Sequence, residues 1–325
     1  MHERLADGFL HACAAAARTA LPLVGAGDGD AVDGAAVAAL RAGLDDLPMS
    51  ARVVVGEGEK DGAPMLAPGE RLGRGGPDAP AFDLAIDPVD GTRLAAAGRS
   101  GALVVVAVAP RGALADLAAA HYLEKLATWL PAARQADASG DGPAPLLERL
   151  PWLVHRIAAA RQVDAGQVVV AVQDRPRNRA YADAAAGAGA RVELFEHGDV
   201  ERTFRAARPG HGIDIVAGIG GAPEGVLTAV AVRSLGGDLR VRPAPQSEAE
   251  AGRILSAGIA PDRVLGLDDL CAASPGEETV FVAAVTQADV GVPLTGATRR
   301  GRGIRVAAWT SARPADAVTI DFPDG

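Results

Sequence analysis

Asp87 and Asp90 are separated by Pro88 and Val89 and followed by Gly91 and Thr92. The proline fixes the backbone between them, so both carboxylates can point into one small volume. Two like charges held that close repel one another, and a hard divalent cation is the usual way to offset the repulsion. Gly91 lets the chain approach a ligand, and Thr92 supplies a hydroxyl. The same D-P-x-D-G string also makes an ordinary Asx turn, each Asp bonding its own backbone. Taken alone the string favours the turn.

Other residues bear on the choice. Glu57, Glu59 and Asp61 fall in the loop GEGEKDGAPM, right after a short apolar run. Acidic residues there are either a solvated loop or groups placed at the carboxyl edge of a sheet, where α/β sites form. The cluster GIGGAPEG at 218–225 lies between a strand pattern and a helix pattern. Its glycines expose N–H groups and the following helix start favours an anion, while Glu224 in the first turn would complement the helix dipole. It is not a dinucleotide fingerprint, because Pro223 occupies the last position of G-x-G-x-x-G. Arg175 and Arg177 flank Pro176 at a strand end, as a phosphate-binding fork or a solvated turn. Arg299, Arg300 and Arg302 read as a surface loop.

The elements that must position these groups follow from composition and pattern. The chain has 325 residues, of which aromatics make up 3%, so its core is aliphatic and its Ala-rich and Val-rich blocks read as an α/β protein. The net charge of −9 excludes a surface that coats nucleic acid. A small phosphate ester remains compatible where a cation locally reverses the field. Cys13 and Cys271 are the only cysteines, without metal-ligand spacing, which predicts a reducing cytoplasmic setting and neither a disulfide framework nor a zinc site. Residues 5–23 are Ala-rich but broken by Asp7, His11 and Arg18. With no apolar run of about 18 residues, an amphipathic helix is expected there and no membrane span.

The pattern predicts helices at 3–20 and 33–44, with Asp33 at the ordinary place of an N-cap. Strands follow at 51–55, 82–86 and 102–108, the DPVDGT turn interrupting the second. Residues 113–133 do not separate helix from strand, and 135–145 reads as a linker. Beyond it, helices at 146–162, 178–187, 199–206, 223–234 and 246–257 alternate with strands at 167–173, 191–195, 213–217 and 238–242. Such alternation predicts βαβ units on a largely parallel sheet. From Val280 the chain turns strand-rich. Two lobes are expected, 1–145 as an α+β metal-binding lobe and 146–325 as an α/β lobe completing the substrate site.

In family order the chain carries VDGAAV at 32–37, VVVGEGEKDGAPML at 53–66, FDLAIDPVDGTRLAAAG at 82–98, YLEKL at 122–126, DRPR at 174–177, HGDV at 197–200 and GIGGAPEGV at 218–226. Together these motifs resemble the class II fructose-1,6-bisphosphatases, within the lithium-sensitive metal-dependent phosphatase superfamily. The resemblance implies a layered αβαβα sandwich. It puts metal ligands, for Mg²⁺ or Mn²⁺, at Asp33, Glu57, Asp87, Asp90 and Glu224, so Asp33 moves from cap to ligand. Substrate contacts fall on Asp90, Gly91, Thr92, Tyr122, Arg175, Pro176, Arg177, His197, Gly198, Asp199 and Gly221. Asp61 and Thr92 match residues tied to activation of the attacking water.

Three positions depart from the family pattern. Gly29 replaces a lysine, His197 stands where an aspartate begins Asp-Gly-Asp, and Asp90 replaces the glutamate of some members. The expected activity is hydrolysis of fructose 1,6-bisphosphate to fructose 6-phosphate and phosphate, in a cytoplasmic homo-oligomer. The alternatives are another sugar bisphosphate or monophosphate as substrate, and a catalytically lapsed regulator that binds sugar phosphate.

Overall fold

The structure is a computed structural model that describes residues 3–56, 59–60, 63–64, 66–131 and 145–323. Glu57 and Asp61 lie outside the described residues, as does nearly all of the 135–145 linker. The chain divides into two compact units, one running to Asp116 and resuming at Cys271, the other spanning Leu117–Leu270. That division does not coincide with lobes at 1–145 and 146–325, because the strand-rich C-terminal segment returns to the first unit.

The first unit begins with helices α1 (Glu3–Ala20) and α2 (Gly29–Asp45) and strand β1 (Ser50–Val55). The short pair β2 (Glu59–Lys60) and β3 (Ala63–Pro64), β4 (Arg71–Leu72), β5 (Ala81–Asp90), helix α3 (Thr92–Ala96) and β6 (Leu103–Pro110) follow. The second unit holds β7 (Tyr122–Thr128), α4 (Leu146–Arg161), β8 (Val169–Gln173), α5 (Arg179–Gly187), β9 (Arg191–Phe195) and α6 (Asp199–Ala206). It closes with β10 (Ile215–Gly221), α7 (Ala222–Ser234), β11 (Asp238–Pro243), α8 (Glu248–Ser256) and α9 (Leu267–Leu270). Back in the first unit come β12 (Thr279–Ala284), β13 (Ala288–Asp289), β14 (Pro293–Leu294), β15 (Thr298–Arg300), β16 (Gly303–Thr310) and β17 (Ala317–Pro323).

In the first unit an eight-stranded sheet runs β15-β16-β12-β6-β5-β1-β4, with β17 also paired to β16. Only β1 and β5 pair in parallel among these described strands. Side chains alternate across a strand, so Val104, Val106 and Val108 of β6 share one face with Leu84 and Ile86 of β5 and Phe281 of β12. These residues form one core with Phe9, Leu10 and Leu40 of α1 and α2. Phe9 stacks on Phe281, ring centroids 4.9 Å apart, and meets Phe82 edge-on at 6.5 Å, in a core whose other residues are mostly aliphatic. The helix expected at 33–44 starts four residues earlier, and its cap is Asp28, whose carboxylate accepts from the Ala31 N–H. Asp33 is therefore inside the helix and is not its cap. Arg299 and Arg300 lie on β15, in a hairpin with β16 instead of a loop.

The second unit is a five-stranded sheet in the order β11-β7-β10-β8-β9. Its β8 pairs in parallel with β9 and β10, but β7 runs antiparallel between β10 and β11. The sheet is thus mixed, not largely parallel. The reason is β7, whose segment gave no clear period and which inserts between two strands that α7 connects. Val170, Val172, Ile215 and Ala217 pack with α4 and α5 in one core. Val169, Ala171 and Val216 alternate to the other face and are buried too. Helices α6 and α7 pack on β7, β10 and β11. Each unit is thus helices layered on a sheet, the α/β class expected.

Candidate active site

The DPVDGT segment is not a turn that ends the strand. β5 continues to Asp90, with Asp87 opposite Val105 and Asp90 opposite Leu103 of β6. Three steps on β5 match two on β6, so one residue is bulged out. Without that bulge an odd separation would send the two side chains to opposite faces. With it, Asp87 and Asp90 share the face of Val105 and Leu103, and Asp90 is buried. The Asx bond is present as well, the Val89 N–H donating to Asp87 Oδ1 at 3.1 Å. Gly91 then takes φ 79°, a left-handed value that favours glycine, and starts α3. The Thr92 hydroxyl donates to the Val89 carbonyl at 2.8 Å. Its proton is committed there, which leaves its lone pairs to accept a hydrogen bond.

Helix α2 brings Asp33 to a cleft of about 960 Å³ whose walls also include Asp28, Asp30, Thr92 and Arg93. The loop before the helix is tied to α3, since Gly25 and Gly27 donate N–H bonds to the carbonyls of Ala95 and Ala96. Asp33 and Thr92 thus meet in one cleft, which neither Asp87 nor Asp90 lines. Gly29 lies on the same wall, and a Cβ there would stand 3.3 Å from the Thr92 methyl.

In the second unit most of the expected substrate residues gather around the ends of β7, β8 and β10. Tyr122 pairs with Gly221 across the β7–β10 ladder. The Arg177 guanidinium lies 4.9 Å from the Tyr122 ring centroid and its Nε donates to the Ile219 carbonyl. A single 3₁₀ turn, Pro176–Asn178, follows β8 and sets Arg175 beside His197, Nη2 to Nδ1 3.2 Å. Gly198, at φ 77°, starts α6, and Asp199 pairs with Lys125 at 2.8 Å.

Gly221 in turn starts α7, with Glu224 in its first turn. Burial raises the Glu224 carboxyl above its ordinary value, Lys125 opposes the rise and Asp199 adds to it. Its Oε2 is buried with no hydrogen-bond partner among the described residues.

Two residues of this arrangement had no role assigned from sequence. Lys125 is buried and reaches Asp199. The signal for it was its rarity, one of two lysines in the chain and the only one in a long apolar stretch. Asn178 accepts from the Ile219 N–H at 2.7 Å and donates to the Gln173 and Ile219 carbonyls. It ties the end of β8 to β10, and Gly218, at φ 141°, leaves room for it. Nothing local in the sequence marked that tie.

Nearly the whole chain fits this assembly of motifs. It matches the family described as bacterial fructose-1,6-bisphosphatase, glpX-encoded, over residues 3–315. The chain belongs to that family. Fructose-1,6-bisphosphatase 2 class 2 of Escherichia coli (strain K12) is 35% identical to it over 303 residues, 89% of each chain. Fructose-1,6-bisphosphatase 1 class 2 of the same strain is 33% identical over 315 residues, 93% of this chain and 89% of the relative.

Members of such a family invite a test of whether these residues suit a metal. Among the described residues no three His, Cys, Asp or Glu side chains are grouped to hold one, and Glu57 lies outside them. The chemistry of the remaining donors does suit a hard cation. All are carboxylates, and the buried Oε2 of Glu224 accepts no hydrogen bond among the described residues, which leaves its lone pairs open to a cation. No helix among the described residues is long and apolar enough to cross a membrane.

Proposed function

We propose that this protein hydrolyses the 1-phosphate of fructose 1,6-bisphosphate, giving fructose 6-phosphate and phosphate. Family membership along nearly the whole chain supports the reaction. The observation that carries the site is the β5 bulge, which puts Asp87 and Asp90 on one face of the sheet. Asp33, Glu57, Asp87, Asp90 and Glu224 are the proposed ligands of Mg²⁺ or Mn²⁺. Such an ion, when bound, polarises phosphoryl oxygens and lowers the pKa of a coordinated water.

The remaining steps belong to side chains and backbone. Thr92 accepts a hydrogen bond from the attacking water, since its own proton is held by Val89. Asp61 is the proposed partner in taking the water's proton. The N–H groups at the start of α7, behind Gly221, favour the phosphate charge. Tyr122, Arg175, Pro176, Arg177, Gly198 and Asp199 hold the sugar and its second phosphate, with Arg177 kept in place by the Tyr122 ring and the Ile219 carbonyl. A cytoplasmic homo-oligomer is part of the proposal, the first half of it supported by two buried cysteines outside any disulfide.

A second reading keeps the chemistry and changes the sugar. It is favoured by His197, which sets an imidazole against Arg175 where a carboxylate would neutralise it, and by Gly29, whose place on the cleft wall brings no charge. Phosphate release across a panel of sugar phosphates, with each metal, separates the two. Fructose 1,6-bisphosphate is expected to give the highest kcat/KM, and a far better substrate elsewhere in the panel would sink the first reading. Asp87→Asn is expected to abolish release, and retention of most activity would remove Asp87 from the ligand set. Any metal-dependent turnover excludes a lapsed regulator.

A further inference from the structure

Residues 247–250 read Ser-Glu-Ala-Glu, the sequence of a local capping box. In that motif the first side chain bonds the N3 N–H and the N3 glutamate bonds back to the cap residue. Here Ser247 does its half, its Oγ accepting from the Glu250 N–H at 3.2 Å. The Glu250 carboxylate goes elsewhere. Oε2 accepts from the Gln246 N–H at 2.9 Å, while Oε1 accepts from the N–H groups of His121 at 2.8 Å and Tyr122 at 3.0 Å. Glu250 is 2% exposed. Burial alone would raise its pKa, but these three backbone N–H groups and the nearby His121 hold it below the ordinary carboxylate range.

The peptide it grips is attached to the substrate residues. The His121 carbonyl accepts from the N–H of Ala222, the first residue of α7, and the Tyr122 carbonyl accepts from Ala244. Tyr122 in turn is paired with Gly221 and carries Arg177 over its ring.

We propose that Glu250 is a positioning residue for the sugar-phosphate site, fixing through His121 and Tyr122 the spacing between the Tyr122 ring and the start of α7. This rests on the site reading given above. Glutamine at 250 has one oxygen for three donors, so at least one of these N–H groups loses its acceptor and the end of β7 shifts. A residue that only capped α8 would leave substrate affinity alone.

The test compares wild type, Glu250→Gln and Ser247→Ala by phosphate release from fructose 1,6-bisphosphate, by calorimetric binding of fructose 6-phosphate, and by thermal melting. Glu250→Gln is expected to raise KM and weaken fructose 6-phosphate binding about tenfold while kcat stays within about threefold. Ser247→Ala is expected to melt earlier with both affinities unchanged. Should the glutamine variant fail to fold, Glu250→Asp keeps the charge one methylene short and reads the same split. A position-250 variant that melts like Ser247→Ala, with wild-type KM and binding, overturns the proposal. If wild type prefers another ester and binds no fructose 6-phosphate, the substrate reading fails, and KM for that ester then decides the role of Glu250.

Discussion

Gly221 has φ −62° and ψ 146°, values open to any residue, so its missing side chain has another reason. A Cβ at that position would run into the Glu224 carboxylate. The obstacle is the far end of a flexible side chain, which can swing away without moving the backbone. Gly221→Ala is therefore expected to fold with near wild-type stability, within about 0.5 kcal/mol. Its cost falls on Glu224, displaced from its place at the start of α7, and activity should drop about 10- to 100-fold as for a lost supporting contact of a ligand. Circular dichroism melts paired with phosphate-release rates check both halves; unimpaired turnover would remove Glu224 from the metal set. Residue by residue, the carboxylates and glycines stood out in the sequence because carboxylates are depleted in strands and glycines mark turns and close approaches. Lys125 and Asn178 were not, because their roles come from partners far along the chain, Asp199 and Ile219.

Among the elements, those whose boundaries a local signal marks agree with the sequence reading. Helix α1 and strand β9 fall where periodicity puts them. Helix α2 does not, because the sequence reading put its cap at Asp33, whereas the residue with the extended backbone of a cap, φ −108° and ψ 96°, is Asp28. The β5 bulge was hidden for the same reason, since register with β6 is a tertiary fact. So was β7, whose direction depends on strands nearly a hundred residues later.

Packing between elements gives a test that no periodicity reveals. A Cβ at Gly43 of α2 would stand 2.8 Å from Ala12 Cβ and 3.0 Å from Ala12 Cα in α1. Alanine cannot rotate aside, so the helices would have to separate. Gly43→Val meets that wall with three carbons and is expected to destabilise by about 2 kcal/mol or more, overpacking outweighing the roughly 0.5 kcal/mol gained over glycine in helix propensity. Urea unfolding measures it, and a variant as stable as wild type would show that α1 and α2 do not meet there.

At the scale of the whole molecule the chain order and the unit order disagree. Strand β12 sits between β6 and β16 in the first sheet, yet β6 ends at Pro110 and β12 begins at Thr279. Between them the chain completes the second unit, which has its own sheet and its own core. A chain ended after Leu270 would lose β12 through β17, with Phe281, Ala283, Val306 and Ala308 of the first core. It would leave β6 an unpaired, fully apolar edge, the kind that aggregates. Trp309 leaves with the deleted strands, so Trp129 and Trp152 remain, both in the second unit. Tryptophan emission of the shortened chain therefore reports that unit alone. It is expected to keep a native-like spectrum and a cooperative urea transition, while far-UV ellipticity falls and phosphate release disappears, because the sheet and core that position Asp33, Asp87 and Asp90 have lost β12 through β17. If hydrolysis survives the deletion, those three residues do not depend on the returning strands. If the emission is that of an unfolded chain, the second unit does not fold on its own core.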